Sequence, residues 1–272
     1  PMLIIDVQRA GPSTGMPTKV EQSDLSTVLN GRHGDCPVPV LAIKSPATAF
    51  HTTIQAIEIM IKFQTPVFLL SDTLIANGSE LWSLGELPNI HIESEDLDSP
   101  YSRSDKLVRP WVNLGNEDTN YILGGLEKDI QTGAISYHGK NHEDMTKVRR
   151  QKVLNIADKI PKCALEEGSS KDGNLIISWG STYGPVREAF LSSRDQVSSL
   201  AHLHLDWIFP FPKNFIELIN CYDKVIIPEL NDGQFANYLA SFYSKPIIKI
   251  NKIQGAPFYE EELVEDLKKI CL

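Results

Sequence analysis

The chain has 272 residues, 42% hydrophobic and 22% charged, with a net charge of −9. That length can bury a sizeable core, while the acidic balance argues against nucleic acid as a partner, because phosphate binding needs clustered Lys and Arg. No run approaches the roughly 18 apolar residues of a membrane span, no signal-peptide pattern opens the chain, and Cys36, Cys163, Cys221 and Cys271 lie too far apart to give the closely spaced thiolates of a zinc ribbon or an iron–sulfur cluster.

Residues 1–100 read as an α/β unit. Residues 2–5 form a short strand apolar enough to be buried, and because Pro1 leads straight into it, the sequence is read as missing an upstream segment. The strand ends in a loop bearing Arg9, Gly11, Pro12, Ser13, Thr14, Gly15 and Pro17. Glycine lets backbone approach a ligand and proline stiffens the loop. Arginine offers a planar fork to a carboxylate or phosphate, and the hydroxyls of Ser13 and Thr14 add adaptable hydrogen bonds. Open α/β sheets hold ligands at the carboxyl ends of their strands, so this loop is expected to form an anion site. Thr18-x-x-Glu21 and Ser23-Asp24 then start a short helix to about Leu29, with Lys19, Glu21 and Asp24 read as helix-start and surface charges. In Gly31-Arg32-His33-Gly34-Asp35, His33 is a candidate proton relay or carboxylate ligand. Residues 38–43 form a strand. Ser45 caps a helix with Pro46 at its first position, and Phe50, Ile54, Ile57 and Ile61 mark its apolar face. A strand over residues 66–70 ends at Ser71-Asp72, and the β–α–β order implies parallel pairing.

Residues 101–172 form an irregular connection containing a charged helix over 141–160, with Met145, Val148, Val153, Ile156 and Ile160 on one side. Its basic cluster of Lys147, Arg149, Arg150 and Lys152 is read as a solvated face, and residues 166–173 as a linker. Residues 173–272 form a second α/β unit with strands over 175–179, 202–209, 224–228 and 246–250, and helices beginning near Pro185, Pro212, Gly233 and Glu260. His202, His204 and Asp206 alternate along a strand and so share a face, but no further ligand group accompanies them and no metal site is assigned. Gly180-Ser181-Thr182-Tyr183-Gly184 sits at a strand-to-helix turn that could present backbone N–H groups to an anion; packing or subunit contact is the preferred reading.

The run Ile-Ile-Asp-Val-Gln-Arg-Ala-Gly-Pro-Ser-Thr-Gly-Met-Pro-Thr-Lys-Val-Glu-Gln-Ser-Asp-Leu, residues 4–25, resembles the α subunit of the 2-oxoacid:ferredoxin oxidoreductases, and within them the 2-oxoglutarate type. Gly31 to Asp35, Leu70-Ser71-Asp72, Gly124-Gly125-Leu126-Glu127, Asn141-His142-Glu143, Trp179 to Gly184, Pro210-Phe211-Pro212, Pro228-Glu229-Leu230-Asn231 and Asn251-Lys252-Ile253-Gln254-Gly255 are similar to family segments in the same order. The resemblance implies the C-terminal half of a thiamine-diphosphate pyrimidine-binding-type domain (1–100), the connection (101–172) and a transketolase C-terminal-like α/β domain (173–272).

The implied activity is oxidative decarboxylation of 2-oxoglutarate with coenzyme A to succinyl-CoA, carbon dioxide and reduced ferredoxin. Alternatives are the same chemistry on pyruvate or a branched-chain 2-oxoacid, or a non-catalytic scaffold subunit. Arg9 is expected to bind the substrate carboxylate, assisted by Ser13, Thr14 and His33. The glutamate that activates thiamine is expected upstream of Pro1, so the chain alone is expected to be inactive. Thiamine diphosphate and Mg²⁺ are expected to be shared with a β subunit, with the iron–sulfur cluster in a partner chain. Ferredoxin is expected to be reached through the complex, since this acidic surface does not suit an acidic protein. The scattered cysteines fit reduced thiols in a cytoplasmic protein.

Overall fold

Parallel pairing brings three strands of the N-terminal unit together in a computed structural model that describes residues 1–85, 88–92, 99–112, 115, 124–168, 173–194, 196–197 and 199–271. Strand β1 (Met2–Gln8) lies parallel to β3 (Pro66–Asp72) along its whole length, and β2 (Val40–Ala42) lies parallel to the other side of β3. The crossover between β2 and β3 is helix α2 (Ala49–Phe63), entered through a short 3-10 turn at Pro46–Thr48. Its buried face is Thr52, Ala56, Ile59 and Phe63; the expected stripe of Phe50, Ile54, Ile57 and Ile61 is only half-buried. Both sets follow a 4–3–4 spacing, and a helix apolar over so much of its circumference does not reveal by period alone which stripe meets the sheet. Strand β1 is likewise less buried than its composition implied. It is the edge of the sheet, with Met2, Ile5 and Val7 exposed, Ile5 to 57%.

Helix α1 (Leu25–Asn30) follows the first loop, and α3 (Thr73–Ala76) directly follows β3. The charged helix α4 (Gly139–Leu154) continues as a 3-10 turn over Asn155–Asp158 and buries Val153 and Ile156. The segment read as a linker begins instead with a short edge strand, β4 (Leu165–Glu167), which takes advantage of the free edge of the second sheet; residues 169–172 of that reading lie outside the described residues.

The second sheet has the order β4-β6-β5-β8-β9, with β5 (Asn174–Trp179), β6 (Leu200–Leu205), β8 (Lys224–Glu229) and β9 (Ile247–Asn251) parallel and β4 antiparallel at the edge. Period-two alternation splits its side chains between two layers. Ile176 and Ile226 face α5 (Tyr183–Ser193) and α8 (Glu260–Cys271), while Leu175, Ile177, Val225 and Ile227 face α6 (Phe215–Ile219) and α7 (Gln234–Leu239).

The strand expected over 202–209 is broken at Asp206. Its second part, β7 (Trp207–Phe209), leaves the second sheet and pairs antiparallel with β2 as the outer strand of the first, and Ala42 N–H donates to the Asp206 carbonyl at 2.8 Å. Residues 200–209 carry no glycine or proline to announce such a change of sheet, and the alternation of His202, His204 and Asp206 reads as one continuous strand. One core results: Leu25, Val28, Val40, Ala42 and Leu70 pack with Trp179, Leu205, Phe215 and Phe235.

Candidate functional site

Four strand ends meet where the two sheets abut, and their polar side chains tie the first loop in place. Gln8 Nε2 donates to the Ser71 carbonyl at 3.0 Å. Gln22, fully buried, donates from Nε2 to the Trp179 carbonyl (2.8 Å) and accepts at Oε1 from Leu230 N–H (3.0 Å). Its backbone carbonyl accepts from Asn231 Nδ2 at 2.8 Å, and its N–H donates to the Leu230 carbonyl at 2.9 Å. Gln234 closes the ring by donating to the Ser23 carbonyl and accepting from Ser26 N–H. Beneath α7, the Glu229 carboxylate accepts from the N–H groups of Phe235 (2.7 Å) and Ala236 (3.0 Å) and from the Trp179 indole. Burial pushes its carboxyl above the usual range against the pull of those donors.

The loop is a closed circuit. Ala10 N–H donates to the Lys19 carbonyl and Met16 N–H to the Ala10 carbonyl. Gly15 has φ +51°, and a Cβ there would come within 2.0 Å of the Ala10 carbonyl oxygen, so this position requires glycine. Ser13 adopts φ +56°, a conformation uncommon for a residue with a side chain and characteristic of ligand-clamping loops.

Arg9, half-buried at the exit of β1, lines a cavity of about 550 Å³ with Ser13, Glu21, Ser23, Asp24, Asn231, Asp232, Gln234 and Ile253. Its guanidinium donates to the Thr14 carbonyl; among the described residues no carboxylate forms an ion pair with it, leaving further N–H donors for a ligand. Of the expected binding residues, Arg9 and Ser13 share this cavity. Thr14 contributes its backbone carbonyl to Arg9. His33 is exposed in the next loop, outside the lining, where its carbonyl accepts from Cys36 Sγ. Neighbouring Arg32 closes the carboxyl end of α1 by donating to the Val28, Leu29 and Cys36 carbonyls.

Glu21 is buried at the cavity and not a surface charge, because the chain it sits on is clamped between the two sheets. Asp24 faces the same space, and burial together with Asp24 raises the carboxyl of nearby Asp6. Asn231, Asp232, Gln234 and Ile253 come from over 200 residues away; only the presence of Asn231 and Ile253 in the segments 228–231 and 251–255 hinted at a common location, and nothing in the sequence marked Asp232 or Gln234.

Two other candidate groups are internal. Ser178 Oγ lies 2.8 Å from both His202 Nε2 and His204 Nδ1, so a hydroxyl occupies the space between the two rings. His204 Nε2 faces Asp206 at 3.4 Å. In the Gly180–Thr182 turn, Ser181 Oγ donates to Asp72 and Thr182 Oγ1 to the Trp179 carbonyl at 2.8 Å. These contacts pack the turn against the end of β3.

Residues 1–153 match the family model described as pyruvate flavodoxin/ferredoxin oxidoreductase, thiamine-diphosphate-binding. The chain is 41% identical over 270 residues to the 2-oxoglutarate oxidoreductase subunit KorA of Mycobacterium tuberculosis, covering 97% of this chain and 41% of that one. It is 29% identical to the 2-oxoglutarate synthase subunit KorA of Methanocaldococcus jannaschii, covering 97% of this chain and 72% of the other. The solved 2-oxoglutarate:ferredoxin oxidoreductase of Magnetococcus marinus, with 2-oxoglutarate, coenzyme A and succinyl-CoA bound, superposes with a TM-score of 0.87 at 29% identity, over 99% of this chain and 48% of that one. The chain thus spans less than half the length of two of these three relatives.

Thiamine diphosphate needs cationic or N–H donors at its diphosphate and oxygen ligands for Mg²⁺. The Arg9 cavity offers one guanidinium beside three carboxylates, and among the described residues no group of three His, Cys, Asp or Glu side chains could hold a metal ion. This donor set suits a wall facing an oxoacid and does not make a diphosphate–Mg²⁺ cradle.

Proposed function

Because the chain belongs to the pyruvate flavodoxin/ferredoxin oxidoreductase family, we propose that it is the α subunit, or part of it, of an enzyme that oxidatively decarboxylates 2-oxoglutarate. In this reading 2-oxoglutarate and coenzyme A give succinyl-CoA and carbon dioxide, and two electrons leave singly to ferredoxin. A β subunit completes the site, contributing the cradle for thiamine diphosphate and Mg²⁺ and an iron–sulfur cluster. The cofactor supplies the carbon-bond chemistry at the keto group; this chain supplies binding and orientation. The four cysteines are unpaired, which suits a reducing cytoplasm.

The observation that carries the proposal is Arg9: a guanidinium at a strand's carboxyl end, lining a cavity and with no carboxylate paired to it among the described residues. Its planar fork receives the oxoacid carboxylate bidentately, fixing the direction in which the keto carbon points. The Ser13 hydroxyl lies in the same cavity and adds a donor to the same anion. The carboxylates of Glu21, Asp24 and Asp232 repel an anion from the rest of the lining and so favour one pose.

Arg9→Ala in the complete assembled enzyme tests this. Loss of a charged hydrogen bond worth roughly 1.5–3 kcal/mol predicts a rise of about tenfold to a hundredfold in KM for 2-oxoglutarate, with partial recovery in Arg9→Lys. Unchanged KM and turnover would identify a scaffold subunit, and a kcat/KM higher for pyruvate than for 2-oxoglutarate would move the substrate assignment.

A further inference from the structure

A second cavity, of about 510 Å³, lies at the opposite end of the first sheet, beside Gln64 and the amino end of β3. The seven residues of β3 put it roughly 20 Å from the carboxyl ends that form the Arg9 site. Its walls are residues 101–109, residues 125–130 and α4, so the segments Gly124 to Glu127 and Asn141 to Glu143, which the Arg9 site leaves out, come together here. Asn141 holds the wall in place by accepting from Ile130 N–H and donating to the Lys128 carbonyl, both at 2.9 Å.

The lining is strongly cationic for a chain of net charge −9. Arg103, Arg109, Lys128, Arg149 and Lys152 all face the cavity. Its two acids are already engaged. Glu127 pairs with Arg149 and lies 2.7 Å from His142 Nδ1, and Asp129 accepts from the N–H groups of Gln131 and Thr132. Four cations remain without a carboxylate among the described residues. Lys128 Nζ donates to the Gly124 and Leu126 carbonyls, Lys152 Nζ to the Gln64 carbonyl (3.0 Å), Arg103 donates to the Tyr101 and Ile130 carbonyls and contacts Met145 Sδ, and the Arg109 guanidinium has no hydrogen-bonding or ionic partner among the described residues. Burial, and then the charges of Arg109 and Arg103, push the Lys152 ammonium down to about 8. Like charges gathered in a cavity without a counter-charge create a positive potential that attracts an anion. The reading of this basic cluster as a solvated face therefore holds for Lys147 and Arg150, which are exposed, and fails for Arg149 and Lys152.

We infer that this cavity is a binding site for a phosphate-bearing small molecule of nucleotide size, with Arg103, Arg109 and Lys152 holding the phosphate. A phosphate group presents three acceptor oxygens on one centre to three converging donors, whereas a carboxylate's two oxygens are satisfied by a single guanidinium fork. Leu107, Leu126, Ile130, Met145 and Val148 form an apolar wall for the rest of the ligand, and the volume falls in the range of small-molecule sites.

Equilibrium dialysis of radiolabelled ADP against the full-length chain in its native assembly tests the assignment, with pyrophosphate and citrate as competitors. The expected result is a class of ADP sites, displaced by pyrophosphate and not by citrate, that weakens at least tenfold in Arg109→Ala and in Lys152→Met. KM for the oxoacid should be unchanged in both variants. Arg109 is exposed, so its replacement leaves the core intact. ADP binding of equal affinity and stoichiometry in wild type and both variants overturns the inference, as does displacement by citrate and not by pyrophosphate, or no binding of either phosphate compound.

Discussion

His202 is buried in the second sheet with its Nε2 on Ser178, and burial, then the neighbouring charges of His204, Arg187 and Lys44, push its pKa down to about 3. The folded chain therefore keeps this ring neutral where the unfolded chain, with an ordinary histidine near 6.5, takes a proton. Stability from this residue is intact above about pH 6.5 and is lost as pH falls from there toward 3, at up to about 1.4 kcal/mol per pH unit. Urea unfolding at pH 7, 6 and 5 should show this fall, and His202→Gln should flatten it; identical slopes in the two proteins would assign the sensitivity elsewhere. At this scale, sequence exposes a residue when its chemistry is unusual for its local setting, as for Arg9 among glycines and prolines. Glu21 looked like an ordinary helix-start charge, and Gln22 drew no reading of its own. Their burial depends on the 180 and 230 loops, which no neighbouring residue announces.

Asp72 shows how one side chain serves two elements. Its Oδ1 caps α3 by accepting from Leu74 and Ile75 N–H at 3.0 and 3.1 Å, and its Oδ2 accepts from Ser181 in the turn after β5. Burial raises its carboxyl, while Ser181 and the two N–H groups favour the ionised form. Asp72→Ala removes the cap and strands a buried hydroxyl, so a loss of about 2–4 kcal/mol is expected in chemical denaturation. Asp72→Asn, which keeps acceptors for the helix, should lose less, and an equal loss in both would mean that the charge matters more than the cap. Element types and order were readable because Val-, Ile- and Leu-rich runs alternate with capped helical segments. Where elements turn, break or change sheet was not: α2 hides its buried face within a broad apolar surface, and β6 runs into β7 without a proline or glycine to mark the step.

That step makes the two sheets one cooperative body. Strand β7 belongs to the first sheet by pairing and to the second by chain connection, and residues of both sheets share a core. Thermal unfolding followed by near- and far-ultraviolet circular dichroism should give coincident single transitions. Two resolved transitions would mean that the sheets fold independently despite β7. The family could be read from residues 4–25 and the ordered segments that follow them, and the first loop was marked there as a candidate anion site, whereas the basic cavity at the far end of the sheet needed segments from residues 64 to 152 brought together in space.

Gln22 has one further consequence. A single amide side chain bridges the Trp179 carbonyl and the Leu230 N–H, while its own backbone is bonded to Leu230 and Asn231. It works as a strut: any rocking of the C-terminal layer would carry the Arg9 loop along with it, so the shape of this cavity wall is set by the scaffold as a whole.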